Sequence, residues 1–377
     1  MKIPRIYNNI EKYLHPNKVL VIFGPRRVGK TTLITDFLST YKGKYRLESG
    51  DDIRAREILG SEDLSLLKEY ATGYDLIVID EAQRIPKIGW GLKLLVDHVP
   101  GIRIIATGSS SFELAGQVGE PLTGRKHTMT LFPLSEIELL AYYNNNSYDL
   151  SSKLAERLVF GGYPEVISAK NTLERKDALG EIVGSYLLKD IMELDRVRNT
   201  KILSNLVRLI AFQIGNEVSL TEIATTLGID RKTVARYIDL LEKSFILYNL
   251  RGFSRNLRKE VTKKSKYYFY DIGVRNAIIS NFNNLSERDD VGALWENFLV
   301  IERLKTRVYK NISANDYFWR TWDQNEVDFV EEREGKLFGY EFKWKKAKAK
   351  EPKNWRGTYP EATYGVITPE NYLQILE

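Results

Sequence analysis

The sequence VLVIFGPRRVGKTTL, residues 19–33, contains the pattern G-x-x-x-x-G-K-[ST] between an apolar run and a helix-forming segment. The apolar run Val19–Phe23 predicts a buried strand, and a helix is predicted to begin near Thr31. The two glycines let the backbone curl so that its N–H groups point at phosphate oxygens, and the helix adds its positive N-terminal end. The pattern therefore predicts a loop that binds nucleotide phosphates. Its candidate residues are Gly24, Pro25, Arg26, Arg27, Val28, Gly29, Lys30, Thr31 and Thr32.

A second motif, LIVIDE at residues 76–81, agrees with the first. It is an apolar strand that ends in two acids, and carboxylates at the C-terminal ends of parallel strands face the ligand crevice. We expect Lys30 to reach the β- and γ-phosphates of ATP, and the Thr31 hydroxyl and Asp80 to hold Mg²⁺. Glu81 is then the residue that polarises the attacking water. The alternative is a strand that ends in a solvated acidic pair.

A third strand, residues 102–106, is followed by polar residues. Thr107 or Ser109 could contact the γ-phosphate or position water, while Ser109 or Ser110 as a helix N-cap is an equally good account. Arg125, in the loop that follows, is a candidate to supply positive charge to the transition state across a subunit boundary. An exposed structural arginine is the alternative, so a homo-oligomer is expected only under the first reading.

Composition limits the class of protein. The chain has 377 residues, no cysteine and a net charge of +6, which excludes disulfides and thiolate metal sites. Its start lacks the apolar stretch of a signal peptide and no run is long enough to span a bilayer, so we expect a soluble cytoplasmic protein without a membrane partner. Basic residues cluster at 251–266 and 343–353, which favours a nucleic-acid partner over a merely solvated surface.

The order of predicted elements divides the chain into four parts. Strands alternate with helices up to about residue 145, which predicts a parallel sheet with helices on both faces. The run 144–147 is typical of a linker. We predict an α/β fold of the P-loop NTPase class: a P-loop domain at 1–145, a helical lid at 146–215, a winged helix at 216–288 and a small α/β domain at 289–377.

The segment from Ser219 to Leu241 predicts a helix-turn-helix. Ser219 and Glu222 have the spacing of a capping box, Gly228 makes the turn and Asp230 caps the second helix. The apolar positions of that helix face inward, which leaves Arg231, Lys232, Thr233 and Arg236 outward where a recognition helix meets the major groove. The connection between the two strands that follow would form a basic wing able to reach phosphates. A winged helix that serves only subunit packing is the alternative.

The chain resembles the AAA+-type ATPases of bacteria and archaea that carry a C-terminal domain of unknown function, relatives of the STAND-like ATPases. The matching pieces are GPRRVGKTTL (24–33), LIVIDEAQ (76–83), ATGSSS (106–111), LTGR (122–125), LFPLSEIE (131–138), GGYPEV (161–166), YYFYDIGVRNA (267–277), WENFLVIERL (295–304), FWRTWDQNEVDFV (318–330) and YEFKW (340–344). The resemblance implies Mg²⁺-dependent ATP hydrolysis, a winged helix and a terminal domain similar to PD-(D/E)xK nucleases. It also makes Arg125 a better candidate for an arginine finger and implies that residues 161–163 belong to a lid near the nucleotide.

The C-terminal strands carry a second candidate site. Glu341 and Lys343 are two apart in a predicted strand and so share a face, and Asp328 ends the preceding strand. Asp328 and Glu341 are candidate Mg²⁺ ligands, Glu296 on the preceding helix could complete the shell, and Lys343 would position water or steady phosphate charge. This matches the PD-(D/E)xK arrangement by resemblance, although Val327 stands where a proline is usual. The alternative is a degenerate nuclease fold kept for binding or packing.

The sequence therefore predicts an ATPase that couples its nucleotide state to DNA binding. Two rivals stay open: a DNA-binding switch in which hydrolysis is a slow reset, and a metal-dependent nuclease that is gated by ATP.

Overall fold

The computed structural model describes residues 3–109, 121–187, 200–253, 265–321, 325–345 and 350–377, and describes residues 185–187 by their backbone alone. Three predictions fall outside the described residues: Ser110 as a helix cap, most of the basic run between Arg251 and Lys266, and Lys346 and Lys348 of the second basic cluster. Among the helices that the structure describes, none is both long and apolar enough to cross a membrane.

Five strands form the N-terminal sheet. They are β1 (Lys18–Phe23), β2 (Tyr45–Ser49), β3 (Leu76–Asp80), β4 (Arg103–Gly108) and β5 (Lys126–Thr130). Their order is β2-β3-β4-β1-β5, and every pair of neighbours is parallel. All carboxyl ends therefore meet at one edge of the sheet, and this is the edge where open α/β sheets bind ligands. The parallel sheet predicted from the sequence is confirmed.

Helices cover both faces of this sheet because the inner strands are apolar on both sides. The helices are α1 (Lys30–Leu38), α2 (Ile53–Leu59), α3 (Leu64–Ala71) and α4 (Ile88–His98). Leu20 and Ile22 of β1 share a core with Leu33 of α1, whereas Val21 belongs to the core on the other face with Leu92 of α4. The alternation of side chains along an extended strand produces this division.

The segment after the sheet is helical, as predicted. It contains α5 (Glu136–Tyr142), α6 (Ser147–Ser152), α7 (Leu154–Phe160), α8 (Pro164–Ser168), α9 (Thr172–Glu181), a π-helical turn (Ile182–Leu187) and α10 (Thr200–Phe212). Asn144 and Asn145 take positive φ values of 52° and 61° between α5 and α6, which places the predicted linker in a tight turn.

The remaining elements are the strands of a second sheet and the helices that lie between them in the chain. They are β6 (Glu217–Val218), α11 (Leu220–Leu227), α12 (Arg231–Lys243), β7 (Leu247–Gly252), β8 (Ser265–Phe269), α13 (Ile272–Ile278), α14 (Val291–Lys310), β9 (Asn315–Arg320), β10 (Glu326–Arg333), β11 (Lys336–Phe342), α15 (Lys353–Thr358) and β12 (Thr363–Ile367). The strand order is β12-β11-β10-β9-β7-β8-β6. Because β7 pairs in parallel with β9, one sheet crosses the predicted boundary at residues 288 and 289. The four-part division itself stays a prediction.

A buried polar cluster connects the two sheets. The backbone N–H of Leu134 donates to the carbonyl of Gly162 at 2.7 Å, and the N–H of Gly162 donates to Oδ2 of Asp271 at 2.7 Å. Lys305 of α14 donates to the carbonyl of Leu134 at 3.2 Å. A side chain at Gly162 would meet the carbonyl oxygen of Leu134 at 2.6 Å, so only glycine permits this approach. Hydrogen bonds thus connect the segment after β5 to the helical segment through Gly162 and to α14 through Lys305.

Candidate nucleotide-binding site

The loop between β1 and α1 has a backbone that requires glycine. Gly24 has a φ of 147° and Gly29 a φ of 94°, both in the region that favours glycine. A Cβ at Gly24 would lie 2.0 Å from the carbonyl oxygen of Leu131, directly after β5. The loop is therefore shaped by its own backbone and by close contact with the neighbouring strand. It lies at the carboxyl edge of the sheet, as predicted.

Lys30 lies inside the loop. Its ammonium donates hydrogen bonds of 2.8 Å to the carbonyl oxygens of both Gly24 and Pro25, and the residue is 6% exposed. Lys30 is also the first residue of α1, where the helix N-terminus adds partial positive charge. These features give the loop a fixed cationic centre that suits phosphate groups.

Thr31 and Asp80 join the loop to the end of β3. The Thr31 hydroxyl donates to Oδ2 of Asp80 at 2.8 Å, and Thr107 of β4 donates to Oδ1 of the same carboxylate. The backbone N–H of Glu81 also donates to Oδ1 at 3.1 Å. Hydroxyl and carboxylate oxygens are ligands that Mg²⁺ prefers, so these residues fit a magnesium ion beside the phosphate loop. The four residues predicted for this chemistry, Lys30, Thr31, Asp80 and Glu81, therefore all lie at the carboxyl edge of the sheet.

Glu81 occupies a constrained position directly after β3. Its φ of 51° places it in the left-handed region, and a Cβ at Gly50 would meet its carbonyl oxygen at 2.2 Å. Its carboxylate accepts a hydrogen bond of 2.5 Å from Nε2 of Gln83. Our sequence analysis missed Gln83, although it lies within the DEAQ motif, because its contact depends on the turn that follows Glu81.

Other residues of the loop face the helical segment. Arg27 forms salt bridges of 3.0 Å to Glu165 and 2.9 Å to Glu181. The carbonyl of Val28, which is fully buried, accepts a 2.7 Å hydrogen bond from Arg5. Arg26 is half-buried beside them. The loop is thus bonded to the N-terminal segment and to the helices of the predicted lid.

A cleft of about 1240 Å³ opens beside the loop. Its lining residues include Ile3, Pro4, Arg5, Val28, Gly29, Thr32, Leu134, Pro164 and Ser168. This volume is large enough for a small organic ligand, and the cleft adjoins the loop through Val28, Gly29 and Thr32. Residues 161–163 were expected in a lid near the nucleotide, but from the predicted lid the described lining of this cleft includes Pro164 and Ser168 and none of residues 161–163.

Arg125 lies at the opposite edge of the sheet. Its carbonyl accepts the backbone N–H of Val19 at 2.9 Å, near the start of β1, and its side chain pairs with Asp97 at 2.6 Å. Because β1 is six residues long, the P-loop of the same chain lies roughly 15–20 Å away. The structure does not bring Arg125 to the site within one chain, so a role across a subunit boundary and an exposed structural arginine paired with Asp97 both stay predictions.

The candidate nuclease residues are neighbours. Burial raises the pKa of Asp328 well above its usual range, and the nearby carboxylates of Glu296 and Glu341 raise it further. The carboxylate of Asp328 accepts the backbone N–H of Phe342 at 2.7 Å. Lys343 pairs with Glu341 at 2.5 Å. The four residues predicted to form this site are therefore brought together.

Two of these carboxylates, Glu296 and Glu341, however, already form ion pairs with lysines of the chain. Lys266 is 2% exposed and pairs with Glu296 at 2.9 Å and Glu326 at 2.5 Å. Burial alone would lower the pKa of Lys266, but these two carboxylates raise it above its ordinary value. Lys266 was expected in a basic surface cluster, so its burial corrects that expectation. Across the described part of the chain, no group of three or more His, Cys, Asp or Glu is arranged to hold a metal ion.

The candidate DNA-reading helix is α12. The carboxylate of Asp230 accepts the backbone N–H of Thr233 at 2.8 Å, and Gly228 has the positive φ of 65° that the turn requires. Val234, Ile238 and Leu241 are buried, and Arg231, Lys232 and Arg236 are exposed while Thr233 is half-buried. The helices and their outward basic face are as predicted, whereas the winged helix and its contact with DNA stay predictions.

Comparison with known families divides the chain into three regions. Residues 16–140 match a family described as an AAA domain. Residues 151–285 and 291–373 match two separate domains of unknown function, DUF8612 and DUF4143. An uncharacterised protein of Mycobacterium tuberculosis is 28% identical over 338 residues, which are 89% of this chain and 72% of that protein. An uncharacterised protein of Methanocaldococcus jannaschii is 27% identical over 86% of this chain and 74% of its own length.

Two solved structures are similar at low identity. RuvB of Thermotoga maritima is 18% identical, with 61% of this chain and 81% of that chain covered and a TM-score of 0.31. A STAND ATPase with a tetratricopeptide-repeat sensor from Pyrococcus horikoshii is 14% identical, with 81% and 46% covered and a TM-score of 0.31. The match of residues 16–140 to the AAA domain family and the geometry around Lys30 and Thr31 support a P-loop NTPase fold with a nucleotide-binding site in this part of the chain.

Proposed function

We propose that the protein is a Mg²⁺-dependent ATPase whose nucleotide state controls DNA binding by α12. The observation that carries the proposal is the meeting of Lys30, Thr31, Asp80 and Glu81 at the carboxyl edge of one sheet. Lys30 supplies a cation for phosphates, Thr31 and Asp80 supply oxygen ligands, and Glu81 supplies a carboxylate for the attacking water. When bound, Mg²⁺ would neutralise phosphate charge and orient the phosphates.

Residues 131–134 support a link between the nucleotide and the C-terminal half. The carbonyl of Leu131 faces Gly24 of the P-loop, and Arg5 donates to the carbonyls of both Val28 and Phe132 at 2.7 Å. A shift of the loop would therefore displace this segment or strain its contacts. Energetic coupling in proteins needs packed and hydrogen-bonded contacts of this kind.

The same segment continues toward α12. Leu134 bonds to Gly162, and Gly162 bonds to Asp271, which follows β8 and begins α13. Strand β8 pairs with β7, and β7 directly follows α12. The path from the loop to the candidate DNA-reading helix thus consists of hydrogen bonds from backbone and side-chain groups and of two paired strands. Burial raises the pKa of Asp271, although the N–H of Gly162 opposes this by favouring the charged form.

DNA binding of charge-reversed α12 tests this proposal. The variant Arg231→Glu/Lys232→Glu/Arg236→Glu should bind a labelled duplex at least about tenfold more weakly, and each lost phosphate contact should lower the salt slope by roughly one. ATP binding should be unchanged because α12 lies outside the nucleotide site. A matched control reverses Lys68, Lys153 and Lys170, which are exposed on other elements, and should keep DNA affinity.

Nucleotide dependence completes the test. The wild-type protein should bind the duplex with different affinity in ATP and ADP, and the duplex should change its rate of ATP hydrolysis. Unchanged DNA binding by the α12 variant would return this helix to a packing role. Very slow turnover with nucleotide-dependent DNA affinity would favour the switch instead of the DNA-coupled ATPase.

A further inference from the structure

We propose that Gln83 is a positioning residue that orients the Glu81 carboxylate for ATP hydrolysis. The inference rests on the hydrolysis proposed above and adds a residue to its machinery. Gln83 lies in a short 3₁₀ turn, Ala82–Arg84, immediately after Glu81. Its Nε2 donates to Oε2 of Glu81 at 2.5 Å and to Oγ of Ser109, at the end of β4, at 3.4 Å.

The backbone around Glu81 directs its side chain toward Gln83. The N–H of Glu81 is held by Oδ1 of Asp80 and by the Thr107 hydroxyl at 3.3 Å, and its carbonyl packs against Gly50. With the backbone fixed in the left-handed region, the remaining freedom of Glu81 is that of its side chain. A hydrogen bond to the carboxylate removes most of this freedom. Catalytic geometry requires such restraint, since misplacement of a reacting group by about 1 Å lowers rates strongly.

The orientation of the Gln83 amide is set by its hydrogen bond to Glu81. Only Nε2 can donate to a carboxylate, so the contact with Glu81 fixes which way the amide faces. Its Oε1 is buried and meets no donor among the described side chains and backbone. A glutamine placed for stability would satisfy both ends of its amide. The arrangement favours the contact with Glu81 as the reason for Gln83.

Gln83→Ala tests this role through kinetics. We expect kcat for ATP to fall about tenfold, a part of the 10²- to 10⁴-fold that acid–base groups supply, with KM nearly unchanged. Arg84→Ala is the matched control: it changes the next residue of the same turn, whose side chain pairs with the exposed Asp51, and should keep kcat. Thermal unfolding of both variants should match the wild-type protein.

A double variant separates orientation from structure. Because Gln83 acts through Glu81, adding Gln83→Ala to Glu81→Gln should cause no further loss of single-turnover rate. Wild-type kcat in Gln83→Ala, or an equal loss in both backgrounds, would overturn the role of Gln83 while leaving ATP hydrolysis intact. Hydrolysis that is absent from the wild-type protein, or unchanged by Lys30→Ala, would instead overturn the proposed function and this role with it.

Discussion

The hydroxyl of Thr31 donates a 2.8 Å hydrogen bond to the carboxylate of Asp80, so the P-loop helix and the end of β3 are directly joined. These residues lie 49 positions apart in the chain. Parallel strands bring them together because their carboxyl ends share an edge of the sheet. A hydroxyl and a carboxylate in this contact provide two oxygen ligands from separate elements.

Asp80→Asn should therefore raise the Mg²⁺ concentration needed for half-maximal ATP hydrolysis by about tenfold or more, because the ligand loses its charge. The asparagine can still accept the hydrogen bond of Thr31, so folding should be little affected. Thr31→Ser keeps the hydroxyl and should keep the wild-type Mg²⁺ dependence. A titration in which Asp80→Asn and the wild-type protein respond alike to Mg²⁺ would exclude Asp80 as a ligand.

Arg125 makes a prediction about assembly. Its position at the amino edge of the sheet keeps it from the nucleotide site of its own chain, so any contact with a nucleotide requires another copy of the chain. Arg125→Ala should bind ATP normally and hydrolyse it slowly, and mixing it with Lys30→Ala should restore part of the activity at shared interfaces. Full activity of Arg125→Ala in a monomeric preparation would rule out this role.

Asp316 makes a prediction about pH. Tyr248 of β7 donates to Asp316 of β9 at 2.6 Å, across the junction of the second sheet, and Arg307 pairs with the same carboxylate. Burial raises the pKa of Asp316 to about 6, in spite of Arg307. As pH falls, a carboxyl group whose pKa is raised by folding binds its proton at a higher pH in the folded chain than in the unfolded chain. Its contribution to stability therefore grows as pH falls through 6 and is complete below about 4.

The thermal unfolding midpoint of the wild-type protein, measured relative to that of Asp316→Asn, should accordingly rise as the pH is lowered from 7 to 4.5. The corresponding change in relative free energy of unfolding is roughly 1–3 kcal/mol. Asparagine has no titration in this range, so it serves as the reference at each pH. A difference that stays constant over this range would show that Asp316 titrates normally in the folded protein.

The C-terminal carboxylate cluster makes a prediction about DNA cleavage. If the cluster is a nuclease site, cutting of DNA or RNA should need Mg²⁺ or Mn²⁺ and should vanish in Asp328→Ala and Lys343→Ala. Lys266→Met provides a contrast because it removes the cation that pairs with Glu296 and Glu326. Cleavage that survives Asp328→Ala would remove this site from consideration. No cleavage in any nucleotide state would leave the cluster a structural one.

Local motifs made much of the ATPase site predictable. The strand–loop–helix around Lys30 and the strand that ends at Asp80 each lie within a few consecutive residues, so their patterns are visible in the sequence. Strand β2 was not predicted because it lies at the edge of the sheet, where its residues are exposed or half-buried and show no run of apolar side chains. The role of Gln83 was not predicted because its contact with Glu81 depends on the positive φ of Glu81, and no residue pattern in the sequence indicates that backbone angle.

Long-range pairing limited the prediction of the C-terminal half. The parallel contact of β7 with β9 joins Arg251 to Tyr317, and such pairing leaves no local signal in either strand. Lys266 shows the same limit for charge. It stands in a basic run of the sequence, yet folding buries it between the carboxylates of Glu296 and Glu326. Which charges face solvent depends on contacts between distant segments.

Phosphate release from ATP by the wild-type protein and by Lys30→Ala, with Mg²⁺ and with excess chelator, tests the central claim most directly. We expect Mg²⁺-dependent hydrolysis by the wild-type protein and none by Lys30→Ala, whose ATP binding should also weaken because the phosphate charge loses its partner. Glu81→Gln should bind ATP like the wild-type protein but lose turnover down to a small residual single-turnover rate. Hydrolysis by Lys30→Ala at the wild-type rate would contradict the account, since the activity would then arise outside this loop.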